Sequence, residues 1–358
     1  PGEGPRRIAP ATLLPIVADP VVIDGTTQPG WNGTPVVIVD GASTAVPPEV
    51  DGAYGFGITA GGSTLRGLGV VNAPGRGVVL STGGGNVVES NWIGVDPATG
   101  EAAPNRGESG LAMLRESGGN LVVGNVISGN AGSGVGIHDG VANAVRGNRI
   151  GTDASGTSAI PNGSGGIFVS GGANHRIGGA AAGEGNVVSG NTGTGIYMQN
   201  VTATAVLGNF VGVDAAGLKP LGNAGNGIQL VDAPKNTIGG PEPNDRNVIS
   251  ANQGEGVRLD GALSAGNRVQ GNHIGLSVSG FTDLGNAASG VYIRRAPANV
   301  VEQNVVAGND GFAGIAVCGT QTFCGGGDAG TPGSNAGGNV IRQNSLGLDV
   351  ELRLPPGK

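Results

Sequence analysis

A short phrase punctuates the chain: glycine, an aliphatic residue, any residue, then a second aliphatic. It stands at Gly110-Leu111, Gly134-Val135, Gly166-Ile167, Gly195-Ile196, Gly227-Ile228, Gly256-Val257, Gly290-Val291 and Gly314-Ile315, with earlier copies at Gly57-Ile58 and Gly77-Val78. Shorter and longer steps between copies mostly alternate. Within each step lie two further apolar pieces, each opened by asparagine and continued as any residue followed by Val or Ile. One series is Asn86, Asn120, Asn143, Asn174, Asn236, Asn267, Asn299 and Asn339, with Thr204 standing in once. The other is Asn91, Asn125, Asn148, Asn186, Asn209, Asn247, Asn272, Asn304 and Asn344. Each step therefore holds three short segments of period two, separated by Gly/Asn turns. No ten-residue stretch has helical spacing.

Three short strands per coil, repeated in register, predict an all-β parallel solenoid of about ten or more coils, each lying one strand spacing, about 4.8 Å, from the next. Val and Ile face inward and stack on their counterparts. Asparagine and glycine take the corners, where left-handed backbone is tolerated and an asparagine amide can bond the same amide one coil away. One continuous core makes residues 1–358 a single domain, and the short final coil from Asn344 to Lys358 reads as the end of a fragment of a longer protein.

The wording of the repeats resembles the right-handed parallel β-helix repeats of the pectate-lyase-like superfamily, and more narrowly a repeat common in large secreted or surface-displayed bacterial proteins. The residues that carry the resemblance are Ile23-Asp24-Gly25-Thr26-Thr27-Gln28-Pro29-Gly30, the Asn148 to Asp153 phrase, and Ile177-Gly178-Gly179 leading to Asn186-Val187-Val188-Ser189-Gly190-Asn191. The resemblance implies a right-handed single-stranded β-helix and an extracellular or cell-surface location. That repeat group resembles a scaffold, and no catalytic signature of it is matched here.

Composition agrees with a narrow solenoid interior. Of 358 residues, 75 are glycine, and aromatics make up 3%. That rules out a core built on large rings, and the glycines lack the period of collagen. The net charge of -7 and the absence of a basic run argue against nucleic acid as a partner. No apolar stretch is long enough to span a membrane as a helix.

The longer steps carry loops that include Asp96, Asp153 and Asp214. A row of calcium sites is one reading, since calcium takes several oxygen ligands. An Asx-turn before Gly100, Gly156 and Gly217 is the favoured one, and Ser277 in the fourth copy suits a turn better than a metal. No resident metal or other cofactor is expected. Cys318 and Cys324 lack further ligands for zinc and are read as a disulfide, which fits an extracellular home, with two free thiols as the alternative.

Inward-pointing aliphatics leave two outward columns on the strand that follows each glycine. One runs Ala112, Gly136, Phe168, Tyr197, Gln229, Arg258, Tyr292, Ala316, and the next runs Leu114, His138, Ser170, Gln199, Val231, Asp260, Arg294, Cys318. Rings and planar donors along an extended face suit an extended sugar chain. Phe168, Tyr197, Gln199, Gln229 and Asp232 are the expected substrate contacts. Arg258, Asp260, Tyr292 and Arg294 are the candidate catalytic group. In it Arg258 and Arg294 would neutralise a uronate carboxylate and Tyr292 would remove the C5 proton. The plainer alternative for Asp260 and Arg294 is a cross-strand ion pair. His138 lies four coils from Asp260, too far to share a site. His175 and His273 are expected at the surface. The leading function is a surface-displayed scaffold contacting polysaccharide. A polysaccharide lyase, or less readily a glycoside hydrolase, is the alternative, and a subunit that self-associates end to end into filaments is a third.

Overall fold

The structure, a computed structural model, describes residues 4–47, 52–311, 313–319, 325–326 and 337–347. Alternating small aliphatic and polar residues give strands of two to six residues, and the chain visits three sheets in turn. Ser133–His138, Ala144–Arg146 and Arg149–Ile150 make one coil, and Gly165–Ser170 begins the next. The first sheet collects the glycine-led strands from Tyr54–Ile58 to Ile315–Cys318. The second runs from Val22–Asp24 to Val340–Arg342 in 11 strands, and the third from Arg6–Ile8 to Ser345–Leu346 in 12 strands. Among these strands pairing is parallel except where Ile315–Cys318 meets Gly325–Gly326, and the long loops add isolated antiparallel bridges such as Thr152 to Ala159. The molecule is a right-handed parallel β-helix, about 50 Å long from the strand spacing.

Inward side chains stack by type from coil to coil. Leu111, Val135, Ile167, Ile196, Ile228, Val257 and Val291 form one such column, and all are essentially inaccessible. One cluster of buried aliphatics runs from Val39 to Val317. Each such side chain contributes about 1.5–3 kcal/mol by leaving water.

Asparagine ladders mark the corners. Along the series from Asn91 to Asn344 each Nδ2 donates to the Oδ1 of the next coil at 2.9–3.1 Å. A typical member, Asn125, also accepts from the Asn91 N–H at 2.9 Å and donates to the Val88 carbonyl at 2.9 Å. Buried backbone groups left over at the bends are thereby satisfied. A further ladder, not anticipated above, runs through Asn105, Asn130, Asn162, Asn191, Asn223, Asn252, Asn286 and Asn309 ahead of the glycine-led strands.

Two expectations need correction. Asn174 is not a ladder residue. It takes the left-handed corner at φ 58, and His175 fills the ladder position, where its Nδ1 accepts from the Asn143 N–H at 3.3 Å. His175 and His273 are both buried, each 1% exposed, rather than at the surface. The fourth long loop folds back over His273, whose Nδ1 lies 3.2 Å from the Ser277 carbonyl.

The long loops are turns closed by their own aspartates. Asp153 Oδ1 accepts from the N–H groups of Thr157 and Ser158, and Asp214 Oδ1 from those of Leu218 and Lys219. Asp96 accepts from the Ala98 N–H and pairs with Arg7. Ser277 substitutes through its hydroxyl, which accepts from Thr282 N–H at 3.3 Å. No group of three or more His, Cys, Asp or Glu side chains suited to a metal occurs among the described residues. The loops do not project separately: Ala215 N–H donates to Gly156 O at 2.9 Å and Val278 N–H to Gly217 O at 2.8 Å, so loops two coils apart lean together. The glycine that opens each loop is sterically required. A Cβ on Gly212, at φ +88, would sit 2.1 Å from the Ser250 carbonyl oxygen.

Candidate functional site

Parallel register places both outward columns of the glycine-led sheet as the pattern requires. Phe168 pairs with Tyr197, Tyr197 with Gln229, Gln229 with Arg258 and Arg258 with Tyr292. Alongside run His138, Ser170, Gln199, Val231, Asp260 and Arg294. The face divides into two parts.

The first part is a ladder of rings. Phe168 and Tyr197 stack with centroids 5.6 Å apart, and His138 tilts against Phe168 at 5.5 Å. Polar groups line the same stretch: Gln199 Nε2 donates to Ser170 Oγ at 3.1 Å, and Tyr197 Oη to Gln199 Oε1 at 3.4 Å. Beside the rings lies a hollow of about 540 Å³ bounded by Glu108, Ser133, His138, Phe168, Ser170 and Gln199. Inside it His138 Nε2 and Ser109 Oγ are buried without a hydrogen-bond partner. Burial lowers the His138 pKa and raises that of the Tyr197 hydroxyl, so both are neutral near pH 7. Neutral rings with polar edges can stack on sugar faces and bond hydroxyls.

The second part is an ion cluster around Asp260, 5% exposed. Arg294 reaches its carboxylate through Nε at 3.0 Å and Nη2 at 2.6 Å, Arg258 at 3.1 Å and Arg295 at 3.3 Å. Arg258 also meets Glu255 at 3.5 Å and lies over the Tyr292 ring, 5.3 Å from its centroid. Burial alone would raise the Asp260 carboxyl. Hydrogen bonds from Arg294 and Arg258 outweigh it and hold the group below the ordinary carboxylate range. Arg258 and Arg294 are therefore engaged with a carboxylate of the protein itself, and Asp260 keeps its charge among them at neutral pH.

The sequence-derived contacts fall unevenly. Phe168, Tyr197 and Gln199 come together on the ring ladder. Gln229 lies between the two parts, its Oε1 accepting from Asn226 at 2.8 Å. Asp232 sits past the strand end at φ 47 and accepts from the Leu263 N–H, so it serves the corner rather than the face. Glu255 and Arg295 join the Asp260 cluster without having been anticipated. Alternation places Arg295 opposite Arg294, but its left-handed backbone at φ 54 turns it back. Cys318 is buried and disulfide-bonded, while Cys324, the chain's other cysteine, lies outside the described residues.

Comparison with one solved structure supports the architecture. The Dettilon tailspike protein is similar over 98% of this chain and 60% of its own, at 17% identity and a TM-score of 0.60, so this chain spans less than two thirds of the tailspike. The A-module of an Azotobacter vinelandii mannuronan C-5 epimerase aligns over 91% of this chain and 88% of its own, at 12% identity and a TM-score of 0.43. At such identity the likeness to the tailspike is one of fold. No family model matches the chain, and no curated protein sequence matches it. No helix among the described residues is long and apolar enough to cross a membrane.

Proposed function

We propose that the protein is an extracellular β-helix scaffold that holds an extended polysaccharide along its glycine-led face. The observation that carries this reading is the stack of His138, Phe168 and Tyr197 beside a hollow with two unpartnered buried polar atoms. Three rings on consecutive coils offer platforms about 4.8 Å apart, and Ser170, Gln199 and Gln229 supply donors and acceptors at their edges. The disulfide at Cys318 favours an oxidising compartment. Binding is preferred to cleavage because Asp260 already occupies the guanidinium groups that a lyase would turn toward a uronate. Affinity electrophoresis through gels containing a panel of neutral and acidic polysaccharides tests the reading. Retardation by at least one polymer, lost in Phe168→Ala and Tyr197→Ala, is expected. Retardation unchanged in both variants would remove the ring ladder from the function. Release of unsaturated products that Tyr292→Phe abolishes would restore the lyase reading.

A further inference from the structure

The outward positions of the third sheet form a second surface, separate from the ring ladder. Register aligns Trp92, Val126, Arg149, Val187 and Phe210 on five successive strands. The longer coils supply Trp92, Arg149 and Phe210, and the shorter coils supply the buried valines between them. The large side chains thus recur about 10 Å apart, two strand spacings. Both flanks rise above this floor. On one side the aspartate loops, joined through Ala215 and Gly156, make a wall. On the other stands the small-residue turn from Gly179 to Gly185. The groove so enclosed has a volume of about 650 Å³.

Arg149 lies midway along the groove. Its guanidinium is half-buried, it forms no ion pair among the described residues, and its Nε has no hydrogen-bond partner. Arg146 and Arg176, at the neighbouring corner, instead share Glu184 at 2.8 and 3.9 Å. Asp153 attracts Arg149 electrostatically, but its carboxylate already accepts from the Ser155 hydroxyl and the N–H groups of Thr157 and Ser158. A partly desolvated guanidinium without a carboxylate is stabilised by an anion that brings its own.

We propose that this groove is a second binding site, for an acidic polysaccharide whose carboxylate meets Arg149 while sugar rings on either side lie against Trp92 and Phe210. The floor is straight and spans about 19 Å, four strand spacings, which suits an extended chain of several sugars. All five strands are paired on both sides, so no open edge is offered for an acidic peptide to add as a strand. The two surfaces share no residue, so this site and the ring ladder stand or fall separately.

Polygalacturonate is the probe. Binding to the full chain is followed by calorimetry and by tryptophan fluorescence, Trp92 being one of two tryptophans. Arg149→Gln should weaken binding by about tenfold or more. Methyl-esterified polygalacturonate, which lacks the charge, should bind correspondingly less well, and Arg149→Lys should recover part of the loss. Phe168→Ala, on the other face, should leave this affinity unchanged. Absence of binding by the intact chain, equal binding by Arg149→Gln or by the esterified polymer, or equal binding of polyglutamate would each overturn the proposal. Loss of polygalacturonate binding in Phe168→Ala alone would do so too, and would assign the polymer to the ring ladder.

Discussion

The rings of Phe168 and Tyr197 lie parallel across neighbouring coils, their planes 4° apart. A stacked pair is worth about 0.5–1.5 kcal/mol beyond the area it covers. Both rings are partly exposed, so their contribution to stability is small. Phe168→Ala should lower stability by about 1 kcal/mol in denaturant unfolding, while abolishing gel retardation by the polymer proposed to lie on the ring ladder.

Asp260 holds three arginines together, and its removal should be felt in stability. The guanidinium groups are 22–47% exposed, which screens the pairs, so Asp260→Asn should cost about 2 kcal/mol rather than the larger loss expected of a dry ion pair. The carboxyl is held below its ordinary value in the folded state. Its contribution is therefore complete above the unfolded pKa of about 4 and declines as pH falls through the folded value. The stability difference between wild type and Asp260→Asn should be at its full size above about pH 4 and shrink as the pH falls below it, measured by urea titration at several pH values.

His273 behaves as a buried base. Burial, the largest effect, and the charge of Arg246 lower its pKa from 6.5 to about 4. Between these values the unfolded chain binds a proton that the folded chain refuses, so stability falls as pH drops from 6.5 to 4. The loss amounts to about 3 kcal/mol. His273→Gln should flatten this part of the pH–stability curve. An unchanged slope would show that His273 titrates normally in the folded protein.

The ladders invite a paired test. Asn125→Ala removes an acceptor for the Asn91 N–H and a donor to the Val88 carbonyl, both buried, and should cost about 2–4 kcal/mol. His175→Asn should act oppositely. The imidazole leaves Nε2 buried and without a partner, and an amide in its place would restore the ladder with a gain of about 1 kcal/mol in thermal unfolding.

The architecture was legible because the inward aliphatics and the corner asparagines repeat with the coil, and backbone hydrogen bonding enforces that repeat. The columns through Phe168 and Asp260 followed directly from register. Local geometry was less visible. Asn174 and His175 are told apart only by counting back from inward Ile177, since in each coil the ladder residue stands two before the inward aliphatic. Arg295 reaches Asp260 only because a left-handed corner reverses the alternation. The groove around Arg149 was hidden by scale. Its floor residues each look unremarkable within one coil, and its walls arise where loops separated by about sixty residues in the chain lean together, two strand spacings apart.

Because a long coil and a short coil together carry one loop and one large floor residue, the natural increment of this rod is the pair. Duplicating residues 148–208 would lengthen the molecule by a matched cassette with its own Arg149-type position. Excising a single coil would instead set two aspartate loops on adjacent turns, in space that one of them fills. Length and the number of large floor residues are thereby coupled in this protein, and both grow together when whole pairs are spliced in.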